Sequence, residues 1–167
     1  NIQGDDFEMT MAAFTQETKE KLEKLIKRNR LDNLVDVKNP MDINPAANDR
    51  LHTEIVETLA GDPNVDGIVV GLDPLSPAMK TLPPGIKDKD STDSEESITQ
   101  LLPPVVSRLN KPVLGVVDGG ELYNDMVNRL EQQGVCVFRS SDRAVAALAK
   151  YITGRLHTDY IREANDT

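Results

Sequence analysis

Two short apolar runs without polar alternation, Val65-Asp66-Gly67-Ile68-Val69-Val70-Gly71-Leu72 and Lys111-Pro112-Val113-Leu114-Gly115-Val116-Val117, constrain this chain more than any other feature. A strand with one face in water alternates apolar and polar residues, whereas a strand buried on both faces does not. Such strands belong to parallel sheets covered by helices on each side, so the two runs predict an α/β fold. The second run continues into Asp118-Gly119-Gly120, where a helical pattern opens. That places a turn at the carboxyl edge of the sheet, where open α/β folds bind their ligands.

Around these runs the spacing of apolar residues predicts helices and further strands. Residues 1–13 lack periodicity and read as an incoming linker or docked arm. Thr15 is positioned to cap a helix carrying Leu22, Leu25 and Ile26, with Glu17 in its first turn. An early extended segment near Val37 or Met41 is expected as a strand, ending in the turn that holds Pro40 and Pro45. A second helix starts near residues 46–48 and ends at Gly61. Between Asp73 and Ser94, Pro74, Pro77, Pro83 and Pro84 mark a long loop with a helical turn near residues 76–80, and loops of this length are usually functional or mobile. The next helix, carrying Ile98, Leu102 and Val105, is expected to kink or divide at Pro103-Pro104. A helix over 121–133, a strand over 135–138 and a last helix closing at Thr153-Gly154 complete the series. The organisation is a linker and N-terminal helix over 1–34, a three-layer flavodoxin-like domain with a mostly parallel sheet over 35–154, and a polar tail over 155–167 that continues as helix or frays.

Composition narrows the function classes. With 28 acidic against 19 basic residues the net charge is -9, and no basic stretch is interleaved with aromatics. Nucleic acid is therefore not an expected partner, because binding it requires phosphate neutralisation. Cys136 is the single cysteine, which excludes an internal disulfide; between Val135 and Val137 it reads as a small buried apolar residue. No apolar run reaches the ~20 residues that span a bilayer, and no secretory leader is visible, so a cytoplasmic location is expected. The chain begins at Asn1 rather than Met, which is expected of a piece of a longer polypeptide or of a processed product.

Asn39-Pro40-Met41-Asp42, Asp62-Pro63-Asn64-Val65-Asp66-Gly67-Ile68-Val69-Val70, Lys111-Pro112-Val113-Leu114-Gly115-Val116 with Asp118-Gly119-Gly120-Glu121, and Gly134-Val135-Cys136-Val137-Phe138 with Asp142-Arg143-Ala144 occur in a particular order. In that order and spacing, over about residues 36–152, the chain resembles the flavodoxin-like ligase domain of NDP-forming acyl-CoA synthetases. That family includes the ADP-forming acetate-CoA ligases and is similar more distantly to succinyl-CoA synthetase. The resemblance implies one domain of an enzyme that joins an acid to CoA at the expense of ATP or GTP with Mg, through a phosphohistidine. The partners it implies are the CoA-binding and nucleotide-grasp domains or subunits, and no cofactor is implied for this domain alone.

By the same resemblance, the turn holding Asn44, Ala46 and Ala47 matches the place where the family presents a helix N-terminus to the phosphohistidine. Independently of it, free N–H groups and the helix dipole favour an anion there. The family carries glycine or hydroxyl residues in this turn, whereas Pro45 here has no N–H to donate. Asp118, Gly119, Gly120 and Glu121 match a second family turn, a candidate for contact with a ligand or a neighbouring domain. There the glycines permit positive φ or close approach, and Glu121 is placed to orient a phosphoryl-carrying side chain. Both turns serve equally well as plain strand-to-helix connections.

No residue of this chain is a candidate for the reacting group. His52 and His157 lack glycine-rich surroundings and read as ordinary surface residues, no glycine-rich loop ends in Lys and Ser or Thr, and no metal-ligand spacing occurs. The domain is expected to be inactive alone. Its alternative is a non-catalytic binding or regulatory module of a synthetase-like or acyltransferase fusion protein. A flavodoxin-like electron carrier is disfavoured, since the six aromatic residues are not placed to sandwich a flavin.

Overall fold

Leu22 and Ile26, four residues apart, define the buried stripe of α1 (Gln16–Arg28) in the computed structural model, which describes the backbone of residues 2–4 and 7–165 and the side chains of 9–158 and 162. The Thr15 hydroxyl caps this helix by accepting from the Thr18 N–H at 3.3 Å. Before it, β1 (Ile2–Gly4) and β2 (Phe7–Met9) pair as an antiparallel hairpin whose second strand packs against the last helix, so the incoming arm is docked. Residues 1, 5 and 6 of that arm lie outside the described residues.

Helix α2 (Asp49–Ala60) starts at its cap, Asn48, and stops at Gly61. From there the chain alternates: β3 (Ile68–Gly71), α3 (Ile98–Arg108), β4 (Val113–Val116), α4 (Asn124–Gln132), β5 (Cys136–Phe138) and α5 (Ser141–Asn165). The three later strands form a parallel sheet in the order β3-β4-β5, with Ile68 opposite Val113 and Leu114 opposite Cys136. Central β4 is buried at all four positions, as its unbroken apolar run requires. One sheet face, through Leu114 and Val116, meets Ala144 and Leu148 of α5. On the other, Ile68 and Val70 join Leu51, Ile55, Leu102, Met126 and Leu130 from α2, α3 and α4, with α1 packed outside α2. Burying each Leu or Ile contributes roughly 1.5–3 kcal/mol. The result is a three-layer α/β, flavodoxin-like fold.

Four expectations are corrected. No described strand forms near Val37 or Met41: residues 35–44 run irregularly, and their polar groups are satisfied locally, as when Asn39 Nδ2 donates to the Ala12 carbonyl at 3.0 Å. Pro103 and Pro104 do not divide α3. Pro103 leaves the Thr99 carbonyl without its helical donor, and the Gln133 amide supplies one at 2.8 Å. Helix α5 does not end at Gly154. No glycine adopts positive φ there, and the Thr158 hydroxyl donates to the Gly154 carbonyl as the helix continues to Asn165. Cys136 is exposed, not buried, because β5 pairs on one side only and forms the sheet edge.

Candidate functional site

The carboxyl ends of β3 and β4 lead into the two turns that the sequence singles out. After β3 the chain enters the segment 73–94, which hydroxyl groups pin to the core. The Ser76 hydroxyl donates to the Pro45 carbonyl at 2.7 Å, Thr81 to Pro74 at 2.8 Å and Ser97 to Lys80 at 2.8 Å. Ser76, Thr81, Ser91, Thr92, Ser97 and Thr99 are all buried. The expected long loop is therefore a structured connection, tied to α4 as well by the Thr92 hydroxyl donating to Asp125 and by Arg129 bridging Asp125 and Asp93.

After β4, exposed Asp118 leads to Gly119. A Cβ at Gly119 would lie 2.8 Å from Pro74 Cγ and 2.9 Å from Tyr123 Cδ2, and both neighbours are buried. Close approach, not positive φ, is what this glycine provides, since Gly85 and Gly134 are the described glycines with positive φ. Gly120 precedes a 3₁₀ turn over Glu121–Tyr123, and the Glu121 side chain is exposed. The Gly119–Pro74 contact and the Ser76–Pro45 hydrogen bond join three segments along this edge: 44–48, 73–76 and 118–123.

At the N-terminus of α2 two of the expected anion donors, the Ala46 and Ala47 N–H groups, are already engaged. The Ala46 N–H donates to Asn44 Oδ1 at 3.0 Å and the Ala47 N–H to the Asn44 carbonyl at 2.8 Å. Asn48 Oδ1 takes the Leu51 N–H at 2.9 Å. Ala47 is fully buried. Asp49, in the first turn and 2% exposed, directs its carboxylate away from bulk solvent and into the fold. Its two oxygens accept from the Ile98 N–H at 2.6 Å and the Lys80 N–H at 3.0 Å, capping α3 and fixing the 73–94 segment. Burial raises the Asp49 carboxyl above the usual range, against the pull of those amides.

His52 is also corrected: it is 5% exposed, not a surface residue. Its Nδ1 lies 2.9 Å from the Asn48 carbonyl, which fixes Nδ1 as the protonated nitrogen of the neutral ring. Burial lowers its affinity for a second proton, while the Asn48 carbonyl, Asp49 and Asp73 oppose that effect. His157 is exposed on α5. The sequence signal for buried His52 was its place on the α2 stripe with Leu51 and Ile55.

Asp62, in the turn between α2 and β3, is a structural hub that the sequence analysis named only as the start of a motif segment, with no role of its own. One oxygen accepts from the Thr15 N–H at 2.8 Å and hydroxyl at 3.0 Å, the other from the Asn64 N–H at 2.8 Å, and its carbonyl takes Lys111 Nζ. Burial would raise its carboxyl, but these donors and Thr18 outweigh it and bring it down to about 2. Among the described residues, no three His, Cys, Asp or Glu side chains group to hold a metal ion, and no helix is long and apolar enough to cross a membrane.

No protein-family model and no curated protein sequence matches the chain. Among solved structures it is similar to that of PH0766 from Pyrococcus horikoshii OT3, with a TM-score of 0.60 and 23% identity over 84% of this chain. At that identity the likeness concerns the fold. The chain spans 29% of the length of PH0766.

Proposed function

We propose that this chain is a flavodoxin-like domain of an NDP-forming acyl-CoA synthetase-type protein, inactive alone, in which it forms a wall against neighbouring domains and supplies no reacting group. The order of the four motif segments supports the family. The observation that carries the role is the state of the α2 N-terminus: Asn44 and Asn48 engage the Ala46, Ala47 and Leu51 amides, and Asp49 adds a carboxylate to the first turn. An incoming phosphoryl group would have to displace these acceptors and approach a like charge. What remains available on this edge is exposed Asp118, Gly120 and Glu121, on a turn held rigid by Pro74 and Tyr123.

A second reading, in which the α2 N-terminus cradles the phosphoryl group, draws support from the Ser76–Pro45 hydrogen bond that holds the turn beside the ligand-binding edge of the sheet. Labelled ATP or GTP, supplied to the natural full-length protein with CoA and acids, separates the two. The wall reading expects a phosphoenzyme whose turnover needs this domain but is unchanged by Ala46→Pro, which deletes a turn N–H. A loss of roughly tenfold or more in phosphoryl transfer for a folded Ala46→Pro protein supports the cradle instead. If no phosphoenzyme forms with any acid tested, the domain is a binding or regulatory module of a synthetase-like or acyltransferase fusion protein.

A further inference from the structure

We propose that the groove between the end of α3 and α5, at the amino end of β4, binds a small amphiphile, an apolar molecule that carries one anionic group. The groove measures about 440 Å³, and its walls include Val106 and Leu109 at the end of α3, Cys136 of the sheet, and Ala147 and Tyr151 of α5. Clefts of roughly 300–1,000 Å³ with mostly apolar walls and a few polar groups are the ones that take small ligands. Two small residues keep it open. Gly134, at φ +87, leaves space where a Cβ would meet nothing within 4 Å, and Ala147 presents only a methyl group. Val106 and Leu109 are half-buried and Tyr151 is 52% exposed, so the fold leaves apolar surface uncovered here. The turns 44–48, 73–76 and 118–123 lie at the carboxyl end of the sheet, so this site is separate from the proposed docking wall and does not depend on it.

Charge selects the head group. Lys111 lines the groove, and its ammonium donates to the Asp62 carbonyl, a neutral partner that occupies one of its three N–H groups. Lys150 is exposed one helical turn after Ala147 and beside Tyr151, so α5 brings a second cation to the side that lines the groove. Among the described residues neither lysine forms an ion pair. No Asp or Glu lines the groove, and from 143 to 158 α5 carries Arg143, Lys150 and Arg155 without an acidic residue, in a chain whose net charge is -9. A cationic head would be repelled by these lysines, and a neutral one would leave them unused. An anionic head meets them beside apolar walls, where attraction is screened less than in open water. A single amphiphile brings its apolar body and its charge to the same face, as the groove and the lysines require.

Cys136 is the single thiol of the chain, is exposed and lines the groove, so its alkylation by iodoacetamide, followed by mass spectrometry, reports occupancy. The probes added to the 167-residue chain share a straight apolar tail and differ in the head: octanoate, octyl phosphate, 1-octanol and octylamine. At ~2 mM at least one of the two anions is expected to slow labelling roughly threefold, the protection that a Kd of about 1 mM gives, and octylamine to leave it unchanged. The stronger of the two anions identifies the head as carboxylate or phosphate. The double variant K111M/K150M is expected to reduce protection by the anions to that given by 1-octanol. If its urea midpoint shows that it is unfolded, Ala147→Trp decides instead: at a half-buried position it fills the groove and is expected to abolish protection by the anions. Protection by octylamine or 1-octanol equal to that by the anions, protection that survives in the folded variant, or no protection by any probe overturns the proposal. So does labelling that slows as protein concentration alone rises, which identifies a second copy as the occupant.

Discussion

Asp62→Asn is expected to destabilise the fold by about 2 kcal/mol at neutral pH, and two routes lead to that figure. The first is the hydrogen bonds. Both carboxylate oxygens accept, from the N–H and hydroxyl of Thr15 and from the N–H of Asn64, and the residue is fully buried. An asparagine offers one acceptor in place of two and turns an NH₂ toward a donor. Losing a hydrogen bond to a charged group costs roughly 1.5–3 kcal/mol. The second route is linkage. A carboxyl at about 2 in the folded chain and 3.8 unfolded contributes stability above the unfolded value that disappears as pH falls through the folded one. At 1.36 kcal/mol per unit, with allowance for solvent screening, this is about 1–2 kcal/mol.

Urea unfolding of both proteins at pH 7, 5, 3 and 2 tests the two routes together. With a slope near 2 kcal/mol per molar, the midpoint of the variant falls by ~1 M at pH 7. The gap stays constant down to about pH 5 and narrows toward pH 2 as Asp62 in the parent chain takes up its proton. A gap under ~0.2 M at pH 7 refutes the hydrogen-bond accounting. A gap that does not narrow in acid refutes the assignment of the charge to Asp62.

Asp49→Asn faces the same loss of an acceptor, against the Ile98 and Lys80 amides, and is expected to cost about 1–3 kcal/mol by thermal unfolding. Its pH dependence runs opposite to that of Asp62. The raised carboxyl of Asp49 contributes most below the unfolded value, and that contribution is lost as pH rises through the folded one, so Asp49→Asn is expected to be least harmful relative to the parent at neutral pH. His52 is held neutral by burial, so stability falls as pH drops below about 6.5, and His52→Leu is expected to flatten that limb of the pH-stability curve measured by calorimetry. Gly119→Ala drives a Cβ into Pro74 and Tyr123 and is expected to cost about 1–3 kcal/mol, read from the urea midpoint. Gln133→Ala, which strips the donor from the Thr99 carbonyl, is expected to cost about 1–2 kcal/mol and to speed amide exchange in α3.

Where the sequence was legible, one interaction dominated. The unbroken runs gave β3 and β4 because only a doubly covered strand is apolar at every position, and β4 is buried throughout. Helices α1 and α2 were readable from Thr15, the Leu22 and Ile26 stripe, and Gly61. Reading failed where a distant group intervened. Nothing local says that Gln133, the residue after α4, will serve the Thr99 carbonyl freed by Pro103, 34 residues earlier in the chain. The burial of Cys136 depended on whether another strand lies outside β5, which its own neighbours Val135 and Val137 cannot specify. Likewise the 73–94 segment looked loose from its prolines, although the Ser76 hydroxyl ties it to the distant Pro45 carbonyl and the Ser97 hydroxyl, from outside the segment, reaches the Lys80 carbonyl.

The α2 turn shows how a site can be legible in outline and still be closed in detail. A helix N-terminus has four N–H groups without helical partners, and they are free for a ligand only while the flanking side chains do not take them. Asparagine is among the best acceptors for that purpose, and here Asn48 takes the Leu51 N–H of the first turn while Asn44 takes those of Ala46 and Ala47 just before it. Asp49 goes further. By accepting from Ile98 and Lys80 it couples the α2 start to the α3 start and to the segment after β3, so this end of α2 is committed to holding the sheet edge in shape. A ligand at Asp118–Glu121 would meet a surface whose backbone is fixed before binding, which lowers the ordering cost of association. With the Ala46, Ala47 and Leu51 donors taken within the turn, the edge fits the proposed docking wall better than a phosphoryl cradle.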